Sequence, residues 1–119
     1  MTPAALAATL RAAGFAGVAV DGDQIYARTH SAAPEFQAAQ VGTIWHFTLS
    51  RPVRASAAAL TTWNAQNSTA LIDIHHGETR LTLPLLPPAT LDHWRARADL
   101  FTAQSQLWRR AQRQCDEGM

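Results

Sequence analysis

Residues 58–86, AALTTWNAQNSTALIDIHHGETRLTLPLL, decide the fold. The stretch begins as the end of a helix that closes on Trp63 and Asn64, and it continues as two strands joined by a tight turn. Apolar and polar residues alternate in both strands, which is the pattern of a strand with one buried face. We therefore predict a β-hairpin that turns at His76 and Gly77, with the rest of the chain covering one of its faces.

One register of this hairpin satisfies both of its faces. A turn at these two residues sets Ile72 opposite Leu81 on the apolar face. On the other face it sets Asp73 opposite Arg80, and such a pair of opposite charges contributes a few tenths of a kcal/mol. The remaining predicted pairs are Ala70 with Leu83, Ile74 with Thr79 and His75 with Glu78. Agreement between local pattern and pairing is typical of a sequence that specifies one structure.

The flanking sequence predicts three helices and three further strands. The helices are expected from Thr2-Pro3 to Gly14, from Ser56 to Gln66, and from Thr90 to Gln112, with Pro87-Pro88 ending the strand before the last one. The strands are expected at residues 18–20, 25–28 and 43–49, the first two joined by a turn at residues 21–23. Residues 30–40 contain Pro34 and have no clear periodicity, so we predict a loop there. The result is one α+β domain over residues 1–119, an antiparallel sheet of five strands with helices on one face.

Apolar residues at these spacings define the expected core. Val18, Val20, Ile25 and Ala27 are expected to face the helices, leaving Tyr26 on the other face of the sheet. The last helix carries an apolar stripe at helical spacing, broadened by two further leucines; its members are Leu91, Trp94, Ala98, Phe101, Trp108, Leu100 and Leu107.

Composition excludes several function classes. The chain has 119 residues, ten arginines and no lysine, so neither a Schiff-base lysine nor a P-loop lysine is available. Its single cysteine, Cys115, cannot form an internal disulfide. We find no signal peptide and no apolar run of the ~18 residues that cross a membrane, and we expect a cytoplasmic protein with no membrane contact.

The element order, helix, three strands, helix, two strands, helix, resembles the YbjN-like family. The resemblance rests on the helix end LTTWN at residues 60–64, followed by a hairpin and a long C-terminal helix, and it covers mainly residues 44–110. That family is associated with bacterial sensory transduction, and its fold is similar to that of type III secretion chaperones. The resemblance implies a homodimer that binds other proteins, in a bacterial stress or signalling response, with no enzymatic activity and no cofactor.

The sheet face opposite the helices supplies the predicted interface. It carries four apolar residues, Tyr26, Ile44, Leu71 and Leu86, and contiguous apolar groups on an open sheet face mark interaction sites. We expect this face, with part of a helix, to bind a second copy or a partner protein, unless residues 30–40 fold over it. Leu71→Arg is then expected to leave the fold intact and to break the dimer.

Nucleic-acid binding, metal binding and catalysis have less support in the sequence. The last helix has a basic side, formed by Arg95, Arg109, Arg110 and Arg113, which with the tryptophans is the alternative candidate for single-stranded nucleic acid. A net charge of +1 gives little electrostatic support to nucleic-acid binding. His46 and His75 share the non-core strand positions but lack the further ligands of a metal site, so we predict no metal. No serine has the glycine elbow of a hydrolase, and we predict no catalytic residues.

Overall fold

The computed structural model describes residues 1–86 and 90–117, with residues 115–117 described as backbone only. The chain forms three helices and six strands. The helices are α1 (Pro3–Ala12), α2 (Ala57–Gln66) and α3 (Leu91–Glu117). The strands are β1 (Ala16–Asp21), β2 (Gln24–Arg28), β3 (Phe36–Val41), β4 (Ile44–Arg51), β5 (Leu71–His75) and β6 (Glu78–Pro84).

All six strands form one antiparallel sheet in the order β1-β2-β3-β4-β6-β5. The α+β class and the antiparallel sheet with helices on one face are confirmed. The predictions of five strands and of three strands between the first two helices are wrong, since four strands lie there. The missed strand is β3, which we expected to be a loop. Its Phe36 and Ala38 are fully buried, and Ala38 pairs with Phe47 of β4. Tertiary pairing therefore overrides the weak strand preference of its glutamines and alanines.

The central hairpin has the predicted register. Ile72 pairs with Leu81 and Asp73 with Arg80, and the Arg80 guanidinium lies 2.9 Å from the Asp73 carboxylate. The turn residues His76 and Gly77 have φ values of 52° and 79°. Two positive φ values in a two-residue turn match the right-handed twist of the flanking strands.

The core lies between the helices and one face of the sheet. α1 contacts β1 and β2, α2 contacts β5, and α3 contacts β4 and β6. At the centre, the rings of Phe36, Phe47 and Trp94 contact one another, with centroids 5.2 to 5.7 Å apart. All three side chains are buried, so this aromatic cluster fixes α3 to β3 and β4.

Each helix begins at a predicted capping residue. The hydroxyl oxygens of Thr2, Ser56 and Thr90 accept hydrogen bonds from the amides three residues later, at 3.1, 3.1 and 3.2 Å. The last helix is longer than expected, since it continues to Glu117. The predicted strand end at Pro87-Pro88 lies outside the described residues. Within residues 1–86 and 90–117, no helix combines the length and the apolar character that a membrane span requires.

Three predicted core residues are instead exposed. Val20 lies on the edge strand β1 and is 44% exposed. Leu100 and Leu107 are 39% and 52% exposed. They lie on the side of α3 that points away from the sheet, so only one side of this helix joins the core. The part of α3 that packs in the core is therefore narrower than the predicted apolar stripe.

Candidate interaction surfaces

The sheet face opposite the helices, here called the open face, has no second layer among the described residues. Its central row follows from the strand register, which aligns Tyr26, Gln37, Thr48, Thr82 and Leu71 across five strands. This row contains no charged residue. A flat, uncharged, hydrogen-bonding row with an apolar residue at each end resembles the mixed surface of a non-obligate protein interface.

The residues predicted for the interface are only partly brought together. Tyr26, Ile44 and Leu71 all lie on the open face; Leu71 is 49% exposed, and the other two are half-buried. Polar residues of the central row separate Tyr26 from Leu71, and Ile44 lies at the end of the β3–β4 hairpin. Leu86 follows the end of β6 and is also exposed. Residues 36–41 form a strand within the sheet, so residues 36–40 do not fold over this face.

The β5 edge of the sheet is blocked by α2. The Asn64 side-chain oxygen accepts a hydrogen bond from the Ile72 amide at 2.8 Å, and its side-chain nitrogen donates to the Ile72 carbonyl at 3.1 Å. Trp63 Nε1 donates to the Ala70 carbonyl at 2.7 Å. The Asn64 amide therefore pairs with Ile72 as a neighbouring strand would, which protects an edge from pairing with another chain.

The opposite edge, β1, has a smaller block. The Arg11 guanidinium, from the last turn of α1, donates to the carbonyl of Val18 at 3.1 Å. A bulge between Ala16 and Ala19 further interrupts this strand. Both edges of the sheet are thus poor templates for strand addition, which leaves the faces of the molecule as its contact surfaces.

The basic residues of α3 do not form one patch. Arg95 is half-buried near the start of the helix, where its guanidinium donates to the Ala13 carbonyl and lies 4.4 Å from the centre of the Phe15 ring. Arg109 lies fourteen residues, or about 21 Å, further along the helix. Arg95 therefore stabilises the contact between α3 and α1, while Arg110 and Arg113 are exposed at the other end.

A second group of arginines surrounds the far end of α3. Arg51 Nε donates to the Ser105 hydroxyl at 3.3 Å, and Arg109 donates to the Pro52 carbonyl at 3.2 Å. Burial of the Arg51 guanidinium, together with the positive charge of Arg109, lowers the pKa of Arg51 from its ordinary value. Within the described residues, neither arginine has a carboxylate close enough for an ion pair. The guanidinium groups of Arg51 and Arg109 therefore form a basic region beside α3.

The half-buried Trp108 lies beside this basic region and between two shallow grooves. One groove, of about 240 Å³, runs between α2 and α3 and is lined by Trp63, Thr62 and Gln104 among others. The other, of about 270 Å³, is lined by Arg54 and by Ser56 at the start of α2. Sequence reasoning missed Arg51 and Arg54, because they precede α2 and only the fold brings them to α3.

The histidines do not converge. His46 pairs with Pro84 and His75 pairs with Glu78, so the two histidines lie about 20 Å apart along the strands. The rings of His75 and His76 are adjacent at the hairpin turn, 4.1 Å between centroids. In the part of the chain that the structure describes, no group of three or more histidine, cysteine or acidic side chains is placed to hold a metal ion.

Comparison with known proteins identifies no relative of this chain. No family model, no curated protein and no solved structure matches the chain. The resemblance to the YbjN-like family and to secretion chaperones therefore stays a prediction, and the surfaces themselves must carry the functional interpretation.

Proposed function

We propose that this chain is a non-enzymatic protein-binding module that holds a partner protein against the open face of its sheet. The observation that carries the proposal is the uncharged central row, from Tyr26 to Leu71, on a face that no helix of the described chain covers. Such a row offers hydrogen-bonding side chains and apolar contact to a partner without the cost of burying an unpaired charge.

The blocked edges support contact through the face. A partner that added a strand to β5 would have to displace the Asn64 side chain from Ile72, and at β1 it would meet Arg11. Strand addition depends on free main-chain groups at an exposed edge. A partner that packs its own side chains on the open face needs no such displacement.

The proposal extends to the setting that the YbjN-like resemblance implies. The module would act as a chaperone-like or regulatory adaptor, as a homodimer in the bacterial cytoplasm, in a stress or signalling response. This part rests on the helix end at residues 60–64 and the hairpin that follows it, together with the α+β architecture.

Differential capture from the source cells tests the open face. Immobilised protein, its Leu71→Arg variant and its Val20→Arg variant are compared by quantitative mass spectrometry of the retained proteins. Val20 is the matched control, since it is 44% exposed against 49% for Leu71 but lies on the opposite side of the sheet. We expect Leu71→Arg to lose at least about nine-tenths of a specific partner, as burying a new charge costs well over 1.4 kcal/mol. Equal capture by both variants would remove the open face as the site.

The convergence of Arg51, Arg54 and Arg109 beside Trp108 favours one second candidate, binding of single-stranded nucleic acid. Trp108 is only half-buried, and an accessible aromatic ring within a basic region can stack an unpaired base. In a mobility-shift assay, this candidate predicts a salt-sensitive complex with an oligonucleotide that Arg109→Ala with Arg110→Ala weakens and Arg97→Ala does not. The absence of any shift at low salt would eliminate it.

A further inference from the structure

The outer side of α3 carries an apolar stripe that its own chain does not use. Its residues are Ala96, Leu100, Ala103 and Leu107, all of them exposed. Their spacings of four, three and four are those of a coiled-coil seam. The residues of α3 that are buried against the sheet, Trp94, Ala98, Phe101 and Ser105, lie on the other side of the helix.

We propose that this stripe pairs two copies of the chain through an antiparallel α3–α3 contact. The sequence of the stripe alternates small and large residues. In an antiparallel pair centred between residues 101 and 102, Leu100 lies opposite Ala103 of the second copy, and Ala96 lies opposite Leu107 of the second copy. The four layers that these residues form each join one leucine with one alanine, which lets large and small side chains interdigitate. The next layer at either end sets Arg110 opposite His93 of the second copy.

A parallel pair fits these residues less well. It would pair Ala96 with Ala96 and Ala103 with Ala103 of the second copy. Layers of two small alanines would then alternate with layers of two large leucines. It would also place Arg110, the next seam position, against its own copy and bring the basic ends of both helices together. Like charges in contact and parallel helix dipoles both oppose that arrangement.

The charges flanking the stripe favour the antiparallel orientation. Asp92 lies in the first turn of the helix and Arg113 near its end, both on the same flank of the stripe. The Asp92 carboxylate is 3.8 Å from Arg95 of its own helix, and its side chain is 91% exposed and so accessible to a second copy. Antiparallel pairing sets Asp92 of each copy opposite Arg113 of the other, so the contact contains this ion pair twice. On the same flank Asp99 meets Gln106 of the second copy, and no like charges face each other there.

The length of α3 is sufficient for a specific contact. Centred in this way, residues 91–112 of the two helices overlap, which is about 33 Å at 1.5 Å per residue. The second copy approaches from the side of α3 that points away from the sheet, so the open face stays free. The homodimer is part of the proposed function; the pairing places it on α3 and does not depend on partner binding at the open face.

Sedimentation equilibrium of the full chain and its variants tests the pairing. The unmodified protein is expected at about twice its chain mass of 12.9 kDa, and Leu107→Glu at the single mass. The expected rise in the dissociation constant is more than about a hundredfold, because two leucine contacts are lost per dimer. Circular dichroism confirms that the variant is folded. From the sequence alone we expected Leu71→Arg to break the dimer, whereas a contact through α3 predicts that this variant remains dimeric. A dimer that survives Leu107→Glu but is lost in Leu71→Arg would place the second copy on the open face and overturn the proposal.

Orientation is tested by disulfide formation in a Cys115→Ser background. Mixing the Ala96→Cys and Leu107→Cys variants should give a mixed disulfide, with little cross-linking of either variant alone; self-linking of each variant would indicate the parallel pair. Arg113→Asp should raise the dissociation constant roughly fivefold, and adding Asp92→Arg should restore it, since exposed ion pairs contribute up to about 1 kcal/mol. An unmodified protein that stays monomeric at high concentration, or a charge swap without rescue, contradicts the proposal.

Discussion

The two faces of the sheet are built from alternate residues of the same strands, yet they have different roles. In β4, Phe47 is fully buried in the aromatic cluster, whereas the next residue, Thr48, lies on the open face between Gln37 and Thr82. The helices determine this difference, because all three pack on one side. Alternate residues of each strand thus serve different purposes. One set forms the core that stabilises the fold, and the other set forms a face that is accessible to a partner.

The largest expected effect on stability is on the buried face of the sheet. Phe47→Ala should lower the free energy of unfolding by about 3–5 kcal/mol, because it opens a cavity beside the rings of Phe36 and Trp94. The neighbouring Thr48→Ala should change it by less than about 0.5 kcal/mol. Urea denaturation of both variants makes the comparison, and similar losses would mean that the open face is also part of the core.

An intermediate effect is expected at the sheet edge. Asn64→Ala leaves the Ile72 amide and carbonyl without their side-chain partner, at a cost of about 1–2 kcal/mol. It also exposes the β5 edge, so concentration-dependent self-association should increase. Gln66→Ala, at an exposed position on the same helix, is the control. Light scattering and thermal unfolding measure both effects; an unchanged association state would show that α2 itself, and not Asn64, protects the edge.

The smallest effects on stability are expected at the turn of the central hairpin. Gly77 has a φ of 79° and open space around it, so Gly77→Ala tests only backbone strain, and should cost about 1 kcal/mol. His76→Asn should instead stabilise by roughly 0.5 kcal/mol, because asparagine tolerates the φ of 52° better. Differential scanning calorimetry of the two variants should show melting shifts of opposite sign. A shared sign would contradict the turn geometry.

The sequence predicted the central hairpin and missed β3 for related reasons. In β5 and β6, alternation, turn residues and cross-strand charges all indicate one register, and Asp73 pairs with Arg80 as expected. In residues 36–41, glutamine and alanine give no such alternation, and only pairing of Ala38 with Phe47 makes the segment a strand. Local pattern is sufficient where several signals agree, whereas β3 depends on partners distant in sequence.

The surfaces show the same limit. Periodicity placed Tyr26, Ile44 and Leu71 on the open face, but it could not show that polar residues separate them. It also assigned Leu100 and Leu107 to the core, since the apolar residues of a helix do not by themselves indicate which of them face the sheet. The blocking of β5 by Asn64 and the group around Arg51 depend on contacts between elements and have no local sequence signal.

Hydroxyl-radical footprinting of the protein alone and with its captured partner tests the open face most directly. Binding should reduce labelling of Tyr26, Ile44 and Leu71 and leave the labelling of Val20, on the other side of the sheet, unchanged. Unchanged labelling of those three residues, with protection of Val20 or of the region around Trp108 instead, would show that the partner does not bind the open face.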